Sequence, residues 1–388
     1  MQVMKRLAFI LSIAAMAALT SCRETVFTPR PTIPLVYSIL QDTSGLKGVV
    51  KSYRSQDPNG SIAIIGTPEE SVLLAEKLLT ADMVNNIDGS KRPDMLPDFS
   101  GERFNLILDP VNAPYEQFLK EDIDGLRDIA VELSVFAIDT LCRLNPYSAD
   151  NLKHKDGAKV LVFSSTLMSE FGQFDVDTLI QLAGGTPLTL SPVQALLEEA
   201  LLVGENVNIG VWSSARVAKS GVYEAVHSNM RSASKLKVMA PEEEDGDLKS
   251  RFRSVLSQYR SSGAPLPMHV LLLDAFDASA EEILAEADTV RTGFSEEDMA
   301  IAKVLAPDFR VVDVTTAISL SCYRMLRREN LFTHNIVYPS ATLYRTEKDH
   351  DGSMVLVELS DRYLPSTLAE FMDKYAQTTF RFYVSNND

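Results

Sequence analysis

Short apolar runs that end in small or acidic residues recur along this chain, and they constrain its fold more than any other feature. Ile62-Ala63-Ile64-Ile65 ends at Gly66, and Val160-Leu161-Val162-Phe163 ends at Ser164-Ser165. A segment with the 3.6-residue spacing of an amphipathic helix follows most of these runs. Apolar runs without polar alternation are typical of strands buried on both faces of a parallel sheet. The sequence therefore predicts an α/β protein.

The strands fall into two series, which predicts a two-lobed molecule. About ten strands alternate with helices, so each lobe is expected to be a mainly parallel sheet flanked by helices. The first lobe is predicted to comprise residues 59–206 plus about 309–335, and the second 207–308 plus about 336–388. A chain of 388 residues is long enough for two such lobes.

The amino-terminal segment has the pattern of an export signal. Lys5 and Arg6 precede a short apolar run, Leu7 to Leu19, which is shorter than the roughly 20 apolar residues that span a bilayer. The closing residues Leu19-Thr20-Ser21-Cys22 resemble the lipobox of bacterial lipoproteins. This resemblance implies removal of residues 1–21, lipidation of Cys22 and a tether over residues 22–58. The alternative is an ordinary cleaved signal in which Cys22 is incidental.

The lipobox resemblance also implies a location and a partner. A protein that carries two or three acyl chains is held stably at a membrane. The expected location is therefore the bacterial cell envelope, with the membrane as partner through the lipid. Arg23 follows the cysteine. Lipoproteins retained at the inner membrane of enteric bacteria often have an aspartate there, so the outer membrane is favoured.

The charge balance limits the other partners. The formal net charge is −16, and the sequence has no long basic run. An acidic surface repels nucleic acid, and it also disfavours adsorption to anionic lipid. We therefore expect no nucleic-acid partner and no basic membrane-binding patch.

Polar residues at the ends of the predicted strands are the candidate ligand-binding residues. In open α/β sheets, ligands bind beyond the carboxyl ends of the strands. Hydroxyl and carboxylate groups suit hydrogen bonding to a small polar ligand, and a tryptophan could stack on it. Each residue could instead cap a helix or close a turn. The candidates are Thr67, Asp109, Ser164, Ser165, Trp212, Ser213, Ser214, Asp274 and Asp277.

No metal site, cofactor site or catalytic motif is predicted. The five histidines are scattered, without the three- or four-residue spacing of ligands on one helix face. The sequence has no Gly-x-Ser-x-Gly motif and no phosphate-binding glycine loop. Asp175 and Asp177 would point to different sides of a helix. Cys142 and Cys322, both in predicted helices, form either one disulfide or two buried free thiols.

The order of elements resembles that of type I periplasmic binding proteins. Val311 to Thr316, a helix ending at Arg327-Arg328, and then Ile336 to Pro339 and Leu343 to Arg345 look like that family's returning segment. The resemblance implies two lobes that close on a ligand about a hinge. Extra helices over Phe174 to Val203 and a longer carboxyl-terminal tail depart from that layout.

Three functions follow from these observations. The first is non-catalytic capture of a small polar solute in a cleft between the lobes of a lipid-anchored protein. The second is a structural or interaction lipoprotein with a degenerate pocket and an envelope protein as partner. The third is a hydrolase or isomerase that uses Asp109 or Asp274.

Overall fold

The computed structural model describes most of the predicted globular part of the chain. It covers residues 31–41, 45–52 and 57–359, apart from 205, 231, 242–245, 334 and 336. The predicted signal, Cys22 and residues 360–388 of the predicted second lobe lie outside the described residues. Among the residues that are described, no helix is both long and apolar enough to cross a membrane.

The described elements alternate as the sequence predicts. The strands are β1 Ser61–Gly66, β2 Arg103–Leu108, β3 Leu141–Arg143, β4 Leu152–His154, β5 Ala158–Phe163, β6 Leu188–Leu190, β7 Asn208–Trp212, β8 Lys235–Met239, β9 Met268–Leu273, β10 Leu305–Asp313, β11 Ser340–Lys348 and β12 Met354–Glu358. The helices are α1 Pro34–Gln41, α2 Leu46–Ser52, α3 Pro68–Thr80, α4 Phe118–Glu121, α5 Ile123–Ile138, α6 Thr166–Ala183, α7 Pro192–Leu201, α8 Ala215–Ser220, α9 Val222–Asn229, α10 Leu248–Ser261, α11 Ala280–Thr292, α12 Glu296–Ala302 and α13 Val314–Arg328.

The strands form two sheets, both mainly parallel. The first has the order β4-β3-β12-β11-β2-β1-β5-β6, and the second has the order β10-β9-β7-β8. In the first sheet only the β11–β12 and β3–β4 pairs are antiparallel. All three pairs of the second sheet are parallel. The prediction of two mainly parallel sheets flanked by helices is therefore confirmed.

The returning carboxyl-terminal strands join the sheets in the opposite way to the prediction. Residues 309–335 were assigned to the first lobe, but β10 pairs with β9 in the second sheet. Residues 336–388 were assigned to the second lobe, but β11 pairs with β2 in the first sheet. A strand that follows a short helical crossover usually pairs beside the strand before it, which places β10 next to β9. Strand β11 then completes the first sheet.

The two sheets share one hydrophobic core. Val211 and Leu272 of the second sheet belong to the same buried cluster as Leu196 of α7, Ile318 of α13 and Ile64 of β1. Helix α7 packs against β9, β10 and α9, while α13 packs against α7 and α3. The other face of the second sheet has its own core, which includes Trp212. Apolar packing therefore joins the sheets where an open cleft was predicted.

The segment predicted to be an extended tether contains helices where it is described. Helix α1 packs against α6, and α2 packs against α5 and α6. Arg127 of α5 forms a buried ion pair with Asp175 of α6, with 2.7 Å between Nε and Oδ2. Asp175 Oδ1 also accepts from the backbone N–H of Ile33. The carboxylate of Asp175 therefore fixes this segment to the helical layer.

Helices α5 and α6 approach each other closely at Gly172. A Cβ atom added at Gly172 would lie 2.1 Å from the Ala130 Cβ, which is far inside van der Waals contact. Gly48 in α2 has no atom within 4 Å of the equivalent position. The two glycines thus form a matched pair of helical positions, one crowded and one open.

Substitution of these two glycines should change the stability in opposite directions. We expect Gly172→Ala to lower the free energy of unfolding by about 1–3 kcal/mol, because it overpacks the contact between the helices. Gly48→Ala should raise that free energy by about 0.5–1 kcal/mol, because alanine restricts the unfolded chain. Denaturant unfolding followed by circular dichroism measures both changes. Equal effects would contradict the close packing of α5 on α6.

Candidate active site

Glu70 projects from the first turn of the helix that follows β1. Thr67 precedes α3 in an extended conformation, and Pro68 begins the helix. The Thr67 hydroxyl donates to Glu70 Oε2 at 2.8 Å. Burial raises the pKa of Glu70 to about 8; the hydrogen bond from Thr67 opposes this shift, and the negative charge of Asp274 adds to it. The capping pattern of the sequence therefore places a carboxyl group that is mostly protonated at neutral pH.

Asp274 lies at the carboxyl end of β9 in the second sheet. Its backbone N–H donates to the Trp212 carbonyl at 2.8 Å, which fixes the chain at that point. Its Oδ1 accepts from the hydroxyl of Thr166, the first residue of α6, at 2.8 Å. Burial raises the pKa of Asp274 to about 6, and the hydrogen bond from Thr166 opposes the shift. This hydrogen bond joins the strand ends of the two sheets.

A second hydrogen bond crosses between the sheets nearby. Arg216 of α8 donates through Nη1 to the backbone carbonyl of Glu116 at 2.8 Å. Glu116 belongs to a 3₁₀ turn, Tyr115–Gln117, which follows β2. Its negative charge, like that of Asp274, contributes to the raised pKa of Glu70. Glu116 and Asp274 therefore both lie within electrostatic range of Glu70.

Glu70, Thr166 and Asp274 lie where the strand ends of the two sheets come together, a region called the junction below. Tyr223 adds a buried hydroxyl to it. Its side chain is 0% exposed. Among the described residues, neither the Tyr223 hydroxyl nor Asp274 Oδ2 has a hydrogen-bond partner, although both atoms are buried. Burial and the nearby charge of Asp274 raise the pKa of Tyr223 far above its ordinary value. The Tyr223 hydroxyl therefore lies beside the Asp274 carboxylate, although, within the part of the chain that is described, neither that hydroxyl nor Oδ2 makes a hydrogen bond of standard geometry.

The junction brings together a carboxylic acid and a carboxylate at neutral pH. The pKa of Glu70 is about 8 and that of Asp274 about 6. Two titratable groups whose surroundings separate their pKa values can serve as general acid and general base. Such groups are most effective when their pKa lies near the working pH. The arrangement can therefore give a proton from one group and accept one at the other.

Asp109 is held in place by its neighbours instead of facing a ligand. Its carboxylate accepts from Thr346 at 2.7 Å, from Asn112 at 3.0 Å and from Tyr115 at 3.2 Å. The side chain is 0% exposed. These donors fix the chain that follows β2, so the structure gives Asp109 a structural position.

The serine pair after β5 also packs internally. The hydroxyl oxygens of Ser164 and Ser71 are 2.9 Å apart, and Ser164 also donates to the Ile65 carbonyl. A Cβ at Gly66 would lie 2.1 Å from Ser164 Oγ, so glycine is needed for this close approach. Ser165 is buried immediately before α6. The pair aligns that helix and places Thr166, the next residue, at the junction.

The remaining candidates lie in the second lobe, and their side chains are engaged in packing, capping or ion pairing. Trp212 is 1% exposed and belongs to the core, so the expected stacking surface for a ligand is wrong. Ser213 is buried, and Ser214 accepts from the Val217 N–H at the start of α8. Asp277 is exposed and pairs with Arg251. Polar residues at these strand ends pack internally, cap helices or form ion pairs. The sequence pattern alone cannot distinguish such roles from contact with a ligand.

Glu70, Thr166 and Tyr223 were missed as site residues. In the sequence, Glu70 has the position of an acidic residue that completes a helix cap, and Tyr223 that of a residue within an amphipathic helix. Thr166 directly follows Ser164 and Ser165, which were predicted to bind a ligand. Its place at the start of the next helix, beside the same strand end, could have identified it. Only Thr67 and Asp274 of the predicted set belong to the junction.

Two surface cavities lie away from these residues. A cavity of about 720 Å³ is bordered by residues 31–34 and by Arg127. A second cavity, of about 550 Å³, includes Asn59, Arg103 and Gly157 at the amino ends of the strands. Neither lining includes Glu70, Thr166 or Asp274.

The cysteines and the metal-binding residue types do not form a centre in the described part of the chain. Cys142 lies in β3, not in the predicted helix, and Cys322 lies in α13; both are free and buried. Burial raises the pKa of Cys142 to about 11 and that of Cys322 to about 12. Within the same residues, no three His, Cys, Asp or Glu side chains are grouped so as to hold a metal ion.

Comparison of the fold with solved structures finds similar folds among amino-acid racemases and a racemase homologue. Glutamate racemase isoform RacE1 from Bacillus anthracis aligns with a TM-score of 0.50 and 12% identity, over 83% of this chain and 96% of that one. Glutamate racemase from Francisella tularensis in complex with D-glutamate aligns with a TM-score of 0.48 and 14% identity, over 84% of this chain and 96% of that one. An aspartate racemase homologue from Pyrococcus horikoshii aligns with a TM-score of 0.40 and 13% identity, over 69% of this chain and 99% of that one.

The two-sheet fold is similar to that of glutamate racemase. No protein-family model matches this sequence. No curated protein matches it either. At this level of identity the similarity shows the fold alone.

The open cleft of the predicted periplasmic-binding layout differs from what the structure shows. The fold is similar to that of a racemase, RacE1, and the two sheets share one hydrophobic core. Non-catalytic solute capture was inferred from that layout, so that prediction is corrected, and so is the prediction that the chain is not an enzyme. The error arose because both folds alternate strands and helices in two series, and element order does not separate them.

The raised pKa of Glu70 should make the stability depend on pH. The folded-state value of about 8 exceeds the ordinary 4.5. The resulting stabilisation is complete below pH 4.5 and is lost as the pH rises through 8, because the folded state must then release its proton. Glu70→Gln stays neutral, so its free energy of unfolding should fall less than that of the wild type between pH 5 and 8.

Glu69→Gln is the matched control, because Glu69 is the exposed neighbour on the same turn. Chemical denaturation at a series of pH values gives both slopes. Parallel curves for wild type and Glu70→Gln would show that Glu70 does not titrate with a raised pKa.

Proposed function

We propose that this protein is a racemase-type isomerase that moves a proton at the α-carbon of a small amino acid. The observation that carries the proposal is that Glu70 and Asp274, which follow strand ends of two different sheets, lie within electrostatic range of each other. Each has a pKa shifted toward neutrality by burial. Perturbed carboxyl groups that converge at strand ends are typical of functional sites.

The chemistry needs two groups in different protonation states. Inversion at a carbon atom requires one group to remove the proton and another to deliver a proton to the opposite face. Asp274, ionised near neutral pH, accepts the α-proton, and the electron pair of the C–H bond passes to the adjacent carboxylate. Glu70 then donates its proton to the same carbon. In the reverse direction the two residues exchange roles.

The solved relative with the same fold supports the class of substrate. RacE1 from Bacillus anthracis is a glutamate racemase by name, and it covers most of this chain. Fold similarity is an analogy for function, so the substrate proposal rests on it only together with the two carboxyl groups. Glutamate and aspartate are the first amino acids to test.

The location is proposed from the sequence alone. The lipobox-like Leu19 to Cys22 supports a lipid-anchored protein of the cell envelope, with the outer membrane favoured and the membrane as its partner. Mass spectrometry of the exported protein tests this location. A free, unmodified Cys22 would contradict it.

Isotope exchange provides the direct test of the activity. The protein is incubated in D₂O with each enantiomer of glutamate and aspartate. Loss of the α-proton signal is followed by ¹H NMR and inversion by circular dichroism. We expect exchange and inversion with at least one amino acid. Glu70→Gln and Asp274→Asn should each lower the rate by about 10²–10⁴-fold, the usual contribution of a general acid or base.

Asp277→Asn is the matched control for Asp274. It lies three residues further on the same loop, is exposed, and pairs with Arg251. We expect its rate to equal that of the wild type. Absence of exchange with all four substrates, or equal rates in the wild type and both junction variants, would remove the proposal.

A further inference from the structure

The two oxygens of the Asp274 carboxylate have different surroundings. Oδ1 accepts the hydroxyl of Thr166 at 2.8 Å. Oδ2 is buried and has no hydrogen-bond partner among the described residues. The backbone of Asp274 is fixed by its hydrogen bond to Trp212. One oxygen is therefore held by the opposite sheet, and the other is left to groups of its own lobe.

The Tyr223 hydroxyl is the group of that lobe which interacts with Asp274. Tyr223 lies in the first turn of α9, two residues after Gly221, whose φ of +74° allows the sharp entry into the helix. Its ring packs in the shared core, and its hydroxyl has no partner among the described residues. The charge of Asp274 acts on this hydroxyl.

A phenol in the core is costly when its hydroxyl has no partner. Phenylalanine would fill the same apolar space without burying a polar atom. Asp274 Oδ2 is likewise deprived of water. A donor and an acceptor that are both unsatisfied and adjacent can satisfy each other after a small rotation of either side chain. The pairing needs no other group.

We propose that Tyr223 is a positioning residue for Asp274: its hydroxyl donates to Oδ2, while Thr166 holds Oδ1. Two donors from different helices, α6 and α9, then fix the plane of the carboxylate. Its role in positioning the base rests on the proposed function. The hydrogen bond itself does not, since it concerns only side chains of the unliganded protein.

The other charged group that faces Asp274 is Glu70 of α3, in the first lobe. The hydroxyls of Thr166 of α6 and Tyr223 of α9 lie beside its carboxylate and lower its pKa. Glu70 is mostly protonated at neutral pH, so the ionised form of Asp274 depends mainly on the two hydroxyl donors. Loss of either donor should therefore make Asp274 harder to ionise.

The test is the titration of Asp274 in the full, unliganded protein. Aspartate labelled with ¹³C at Cγ gives a carboxyl signal for each residue, and Asp274→Asn assigns the one required. We expect Tyr223→Phe to raise the midpoint of that signal by about 0.5–1 pH unit, because a donor to the charged form is lost. An unchanged midpoint would overturn the inference.

Tyr115→Phe is the matched control. Tyr115 is similarly buried, but its hydroxyl donates to Asp109 at 3.2 Å. It should leave the Asp274 midpoint unchanged. If Tyr223→Phe does not fold, 3-fluorotyrosine incorporated in the Tyr115→Phe background replaces it. Fluorine makes the phenol a stronger donor, so the midpoint should fall; a constant midpoint would again overturn the inference.

The outcomes separate this inference from the proposed function. A shifted midpoint in a protein that racemises no amino acid would support the hydrogen bond and contradict the racemase proposal. An unshifted midpoint in an active racemase would do the reverse. A purely structural Tyr223 would change the stability of the variant but not the titration of Asp274.

Discussion

The junction of the two sheets depends on one hydrogen bond, from the Thr166 hydroxyl to the Asp274 carboxylate. The helix that carries Thr166 follows β5 of the first sheet, and Asp274 ends β9 of the second. Burial of the Asp274 carboxylate raises its pKa to about 6, and the hydrogen bond from Thr166 opposes that shift. The negative charge of Asp274 in turn contributes to the raised pKa of Glu70. The same residue, Asp274, thus links the two sheets and contributes to the raised pKa values of the site.

Continuous apolar packing holds this polar contact in place. Helices α7, α9 and α13 fill the space between the sheets, and residues from both sheets belong to one cluster. A hydrogen bond between neutral and charged groups is stronger in such surroundings than in water, and an unpaired group there is more costly. The packed core therefore accounts for the difference from the open, two-lobed cleft that the element order had predicted.

The sequence was sufficient for the class of fold but not for its connectivity. Buried runs such as Ile62 to Ile65 predicted the central parallel strands, because an apolar run of that length fits few other structures. The pairing of β10 with β9 and of β11 with β2 depends on tertiary geometry that no local pattern encodes. The site was partly predicted for a similar reason. Asp274 stood out at a strand end, whereas Glu70 looked like a helix cap and Tyr223 like a core residue.

A double-mutant cycle on Thr166 and Asp274 tests the central claim most directly. The free energy of unfolding is measured at neutral pH for the wild type, Thr166→Val, Asp274→Ala and the double variant. Residues in direct contact typically show a coupling of 0.5–3 kcal/mol, and a hydrogen bond to a charged group belongs to the upper half of that range, about 1.5–3 kcal/mol. We predict a coupling of about 1.5 kcal/mol or more. Additive effects, within about 0.3 kcal/mol, would show that the two sheets are not joined through this pair.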